Sequence, residues 1–113
     1  MLKIYHNPRC SKSRAGLNYL QEKGIEFETI EYLKEKFTSD ELKHVLMLLN
    51  KKPEEMIRTH EEMYKKELKG KNFTDDEWIK IMVEKPKLIH RPIVLGKHKG
   101  VWAQPPEALD EIL

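Results

Sequence analysis

The sequence predicts an α/β domain: a four-stranded mixed sheet flanked by helices, in the order β-α-β, a helical insert, then β-β-α. Three observations carry this. A strand, a helix and a second strand follow one another within the first 32 residues. Two capping boxes then open helices in the middle of the chain. A short apolar hairpin with a Pro-initiated helix completes it. At 113 residues the chain is read as a single domain, residues 1–113, with the helical insert at about 38–85.

Leu2-Lys3-Ile4-Tyr5 begins as a short buried strand. The loop His6-Asn7-Pro8-Arg9 follows, and the chain turns helical after Cys10. Leu17 and Leu20 stand on the expected inner face, and Gly24 stops the helix. Ile25 to Tyr32, rich in Phe, Thr, Ile and Tyr, reads as the second strand. A strand–helix–strand crossover of this length is right-handed, which makes these two strands parallel. In the insert, Thr38-Ser39-Asp40-Glu41 is a capping box, and Leu42, Val45, Leu46 and Leu49 fall on one helix face. Pro53 suits the first turn of another helix, and the weaker pattern around Met63, Tyr64 and Leu68 suggests a further short one. Thr74-Asp75-Asp76-Glu77 is a second capping box, opening a helix that faces inward through Trp78, Ile81 and Met82 and ends at Pro86. Ile93-Val94-Leu95 and Val101-Trp102-Ala103 read as a hairpin around Gly96 to Gly100. Pro105-Pro106-Glu107 starts a final helix through Leu109, Ile112 and Leu113. The order of elements is the thioredoxin arrangement.

Charge is high but balanced, with a formal net charge of +2. That is far from the basic excess of a nucleic-acid binder. No apolar run is long enough to cross a membrane, and the N-terminus lacks a signal-peptide apolar region. The single cysteine cannot form an internal disulfide. A soluble, cytoplasmic monomer is the expectation.

That cysteine is the most informative residue. Cys10 follows a strand and precedes a helix, where unpaired N–H groups and positive potential favour a thiolate and an incoming anion alike. Arg9, Lys12 and Arg14 add charge, and His6 is close in sequence. The alternative is a buried structural cysteine, which the neighbours Arg9, Ser11, Lys12 and Ser13 fit poorly. Ser13 stands where a C-x-x-C motif would have its second thiol, and Gly16 where a phosphotyrosine-phosphatase loop would have its arginine. Any redox cycle therefore borrows an external thiol, and glutathione is the abundant one. With no resolving role, Ser13 is expected to tolerate alanine.

His90-Arg91-Pro92-Ile93-Val94 carries a proline entering a strand. Either the Arg91–Pro92 bond is cis and aims Arg91 at a site, or Pro92 is a trans strand opener beside a solvated arginine. Arg58, in isolation, reads as a solvated surface residue. His44, His60 and His98 show no metal-ligand spacing, so no metal site is expected.

Ile4-Tyr5-His6-Asn7-Pro8 with Cys10 and Ser13-Arg14, then Met56-Ile57-Arg58, Phe73-Thr74-Asp75-Asp76 and Arg91-Pro92-Ile93-Val94 run in order over essentially the whole chain. Together they resemble the glutaredoxin-coupled arsenate reductase family (ArsC-like), a thioredoxin fold with a helical insertion. The resemblance implies that Cys10 attacks arsenate and forms a covalent adduct, that glutathione joins the arsenic as co-substrate, and that glutaredoxin is the partner that completes reduction to arsenite. No bound cofactor is implied. It further implies that His6 helps keep Cys10 ionised, that Arg58 and Arg91 hold the oxyanion, and that Pro92 is cis. Ser13, Arg14 and Gln104 would support the thiolate or the oxyanion. Arg58 thereby changes from a surface residue to a ligand. The family usually has a third arginine before the proline of the final helix, where this chain has Gln104. Two other readings remain: a glutathione-dependent thiol oxidoreductase, which Gln104 favours, and a regulator resembling the Spx proteins, whose C-x-x-C switch Ser13 removes.

Overall fold

The computed structural model describes residues 1–113. β1 (Leu2–Tyr5), α1 (Ser11–Glu22) and β2 (Phe27–Ile30) form a parallel crossover unit, pairing Leu2 with Phe27 and Tyr5 with Ile30. β3 (Ile93–Leu95) lies antiparallel on the other side of β1, and β4 (Gly100–Trp102) is its hairpin partner. The sheet order is therefore β2-β1-β3-β4. β2 is shorter than the Ile25–Tyr32 expected, because it is an edge strand whose only neighbour, β1, is four residues long.

Between β2 and β3 lie α2 (Ser39–Leu49), a 3-10 turn (Pro53–Met56), a π-helical turn (Tyr64–Leu68) and α3 (Asp75–Glu84). Both capping boxes are closed as expected: Thr38 Oγ1 accepts from Glu41 N and Thr74 Oγ1 from Glu77 N, with each glutamate returning to the cap N–H. α2 buries Leu42, Val45, Leu46 and Leu49. α3 buries Trp78, Ile79 and Met82, while Ile81 is only half-buried, so its inner face is rotated from the one expected. The final helix is a 3-10 run (Pro106–Glu111) that buries Leu109 and leaves Leu113 exposed.

Side chains of a strand alternate between faces, and the core divides accordingly. Ile4 and Val94 point to α1 and the C-terminal turn, joining Leu20, Ala103 and Leu109. Tyr5, Ile93 and Leu95 point to the insert and join the larger cluster built on α2 and α3. α1 approaches the sheet closely: a Cβ on Gly16 would come within 2.7 Å of Pro92 Cγ. Gly24 follows α1 at φ +68°, a left-handed conformation that suits glycine at a helix end. No helix is long and apolar enough to cross a membrane.

Candidate active site

Cys10 is the N-cap of α1, at φ −96° and ψ 123°. That position normally holds an oxygen that accepts from the first-turn N–H groups, so a thiolate there meets unpaired donors. The preceding loop is laced to the helix. Cys10 N donates to Asn7 O (3.0 Å), Arg9 N to Asn7 Oδ1 (3.1 Å) and Asn7 N to Ser13 Oγ (2.9 Å). His6 N continues the β1–β2 ladder by donating to Ile30 O at 2.8 Å.

Arg58 and Arg91 are 33 residues apart and are joined by a single β-bridge, Ile57 with Ile89. Arg58 N donates to Leu88 O (2.7 Å) and His90 N to Met56 O (2.9 Å). The Arg58 side chain is 17% exposed and pairs with Glu61, so it is not a solvated surface arginine. Its Nη2 lies 2.9 Å from His60 Nε2. One carbonyl then serves both arginines: Lys87 O accepts from Arg58 Nη1 at 3.3 Å and from Arg91 Nη1 at 3.1 Å. The Arg91–Pro92 bond is cis, and so is Gln104–Pro105.

Cys10, Arg58, Arg91 and Gln104 line one cleft of about 600 Å³. Arg9 and Lys12 add charge to it, and Asn7, Ser11, His60, His90 and Trp102 complete the walls. Cys10 is partly exposed in it. Partial burial pushes the Cys10 thiol up. The Ser13 N–H, the Arg91 side chain and the Lys12 N–H together outweigh it, so the thiol lies below its ordinary range.

Four residues of the expected site lie outside the cleft. His6 is 6% exposed and contacts Ser13 Oγ through Nδ1 at 2.7 Å, so it bears on Cys10 through Ser13. Burial lowers its pKa first; the Glu31 carboxylate opposes that, Arg14 adds to the lowering and Ser13 opposes it. Ser13 is fully buried, and its oxygen serves His6 and the Asn7 N–H together. Arg14 points away and donates to Pro8 O at 2.9 Å, which ties the loop to α1. Pro92 packs under Gly16.

Sequence reasoning passed over His90 and Trp102 as cleft residues and weighed His60 only as a metal ligand. His90 stacks on Trp102, with ring centroids 4.2 Å apart and planes 20° apart. Its pKa is lowered to about 4, by burial first and then by Arg58, His60, Lys12 and Arg91, so the imidazole is neutral at physiological pH. Trp102 was detectable: it stands two residues before Gln104 across Ala103, whose side chain belongs to the opposite face. No group of three or more His, Cys, Asp or Glu side chains is arranged to hold a metal ion.

The arsenate reductase of Neisseria meningitidis serogroup A is 37% identical to this chain, covering 99% of it and 97% of that protein. Escherichia coli YfgD, an uncharacterized protein, is 40% identical over 99% of this chain and 96% of its own. The structure of an arsenate reductase from Vibrio cholerae superposes with a TM-score of 0.93 at 40% identity, covering 99% of this chain and 97% of that one. The sequence profile of the ArsC family matches residues 5–112, and the chain belongs to that family.

Proposed function

We propose that this protein is an arsenate reductase that uses glutathione and glutaredoxin. The observation that carries the reading is the meeting of Cys10, at the N-terminus of α1, with Arg58 and Arg91 in one cleft. Arsenate near neutral pH carries one or two negative charges, and guanidinium groups bind such oxygens bidentately. They also neutralise charge that would repel the attacking thiolate. Cys10 Sγ attacks the arsenic, an oxygen leaves as water after taking up protons, and an S–As(V) bond remains. Glutathione then joins the arsenic. Its thiol displaces a second oxygen as water; the glutaredoxin thiol then attacks the glutathione sulfur, forming a glutaredoxin–glutathione disulfide and leaving the S–As electron pair on arsenic as As(III), and hydrolysis of the Cys10–S–As(III) bond releases arsenite and the free thiol. A thiol pKa lowered only toward ambient pH suits this, because it raises the thiolate fraction without the loss of nucleophilicity that a much lower pKa brings.

One feature favours a second reading. Where a third guanidinium is usual, this cleft presents Gln104 beside the neutral His90–Trp102 pair. A glutathione-dependent thiol oxidoreductase acting on an organic disulfide needs less positive charge than arsenate does. The deciding experiment is a glutathione- and glutaredoxin-coupled NADPH assay with arsenate, a glutathionylated thiol, or neither. Arsenate-dependent turnover abolished in Cys10→Ser supports the reductase. Turnover only with the glutathionylated thiol, unaltered by Gln104→Arg, establishes the second reading.

A further inference from the structure

Arg58 opens a tight turn. Glu61 N donates to Arg58 O at 3.2 Å, and the chain loops back so that the side chains of His60 and Glu61 return to the Arg58 guanidinium. A guanidinium has five N–H donors and no acceptor. Nη1 of Arg58 has two hydrogens and meets two acceptors, Glu61 Oε1 and, at 3.3 Å, Lys87 O. Nη2 meets His60 Nε2 at 2.9 Å. One Nη2–H and the Nε–H remain, and two donors are what a bidentate contact with an oxyanion requires.

The contact with His60 fixes the state of the imidazole. Arginine stays protonated and can only donate, so His60 Nε2 is the acceptor. The ring proton then sits on Nδ1 and the ring is neutral, since an imidazolium would set two donors against each other at 2.9 Å. The three acceptors around Arg58 differ in charge. Glu61 is an anion and offsets part of the positive charge that attracts a substrate. His60 and the Lys87 carbonyl are neutral, so they restrain the guanidinium without offsetting its charge. An arginine has several rotatable bonds, and its planar fork recognises an anion only when that plane is held. His60 lines the same cleft as Arg58 and Cys10.

We infer that His60 is a positioning residue of Arg58: its neutral Nε2 accepts from Nη2 and, with Glu61 and Lys87 O on Nη1, holds the guanidinium plane and leaves its two remaining donors for the oxyanion. This rests on the proposed binding of an oxyanion by Arg58 and deepens it. His60 acts through Arg58 and does not touch the reacting atoms.

Two measurements on the full chain test this. Ring-nitrogen NMR of the wild type at mildly alkaline pH should show His60 with its proton on Nδ1 and a bare Nε2. In Arg58→Ala the ring should return to the mixture of tautomers of a solvated imidazole. Arsenate binding is then followed by calorimetry in the unreactive Cys10→Ser background. There His60→Phe, which keeps an aromatic ring, should weaken binding about three- to tenfold, the worth of one hydrogen bond. His60→Gln, whose amide oxygen can accept in place of Nε2, should restore most of the loss. With Arg58→Ala also present, His60→Phe should change nothing further. A wild-type His60 protonated on Nε2 would overturn the inference, and it would do so even if a His60 variant failed to fold. Unchanged binding in His60→Phe would overturn it too, as would a loss that glutamine leaves unrestored or one that persists without Arg58. Absence of arsenate binding in the Cys10→Ser protein would have the same consequence. Arsenate that binds as stated but is not turned over by the wild type would remove the proposed reaction and leave the role of His60 standing.

Discussion

Replacing Ser13 with alanine removes the one oxygen that both His6 Nδ1 and the Asn7 N–H contact. Two buried polar groups would be orphaned in the loop that carries Cys10. The substitution should therefore cost about 1–3 kcal/mol in denaturant unfolding and move the Cys10 alkylation midpoint. This reverses the tolerance expected from sequence, where Ser13 had only the negative meaning of a missing second thiol. Arg58→Ala and Arg91→Ala should each lower kcat/KM for arsenate by roughly 2–4 kcal/mol in transition-state terms, with lysine restoring only part of it. A kinetically silent Arg58→Ala would remove that arginine from the site. Cys10 was legible from local context alone, as a helix start, while the proline-marked strand entry left Arg91 open between a site and a solvated position. Arg58 was not, because its ties are the Ile57–Ile89 bridge and the Lys87 carbonyl, contacts that no local pattern reveals.

α1 has two tasks that conflict with a larger side chain at its centre. Its first turn faces Cys10, and one turn later it presses Gly16 against Pro92. Gly16→Ala would place a Cβ 2.7 Å from Pro92 Cγ, on a rigid ring that cannot swing aside. The helix must shift, at an expected cost of about 1–3 kcal/mol despite the better helix propensity of alanine. Urea denaturation measures the cost, and a displaced helix start should also raise the Cys10 alkylation midpoint. An unchanged or increased stability would show that the packing yields more easily than the contact implies. The insert helices were the most legible elements because their signals are local: a cap, a glutamate three residues on, and an apolar stripe. The rotated face of α3 was not, since Ile79 and Ile81 are equally apolar and only the neighbouring layer selects between them. The same holds for β2, whose length is set by its partner strand.

Across the whole molecule, the parallel pairing of β1 and β2 followed from the handedness of crossovers, and the hairpin from its glycines. The central position of β1 required the three-dimensional structure. So did the gathering of His60, His90 and Trp102 around one cleft, which depends on the insert folding back over the sheet. That gathering predicts how the protein responds to acid. His90 takes up a proton at about 4 in the folded protein and at about 6.5 when unfolded. Between those values the unfolded state binds more protons, so stability is full above 6.5 and falls as pH drops toward 4. His6, lowered by burial, contributes in the same direction. Chemical denaturation across this window should show the loss, and His90→Gln should flatten it. An equally steep decline in that variant would place the acid sensitivity elsewhere.

The Lys87 carbonyl, by accepting from Arg58 and Arg91 together, gives the two guanidinium groups a common anchor and a fixed bite. A gauge of that kind measures size and charge, and phosphate matches arsenate closely in both. On the proposed reading, the cleft admits either tetrahedral anion, and discrimination passes from recognition to reactivity: arsenic(V) accepts electrons from thiols and phosphorus(V) does not. Inorganic phosphate should then raise the KM for arsenate without altering kcat. A cell rich in phosphate would set the working sensitivity of the enzyme to arsenate through occupancy of this clamp alone.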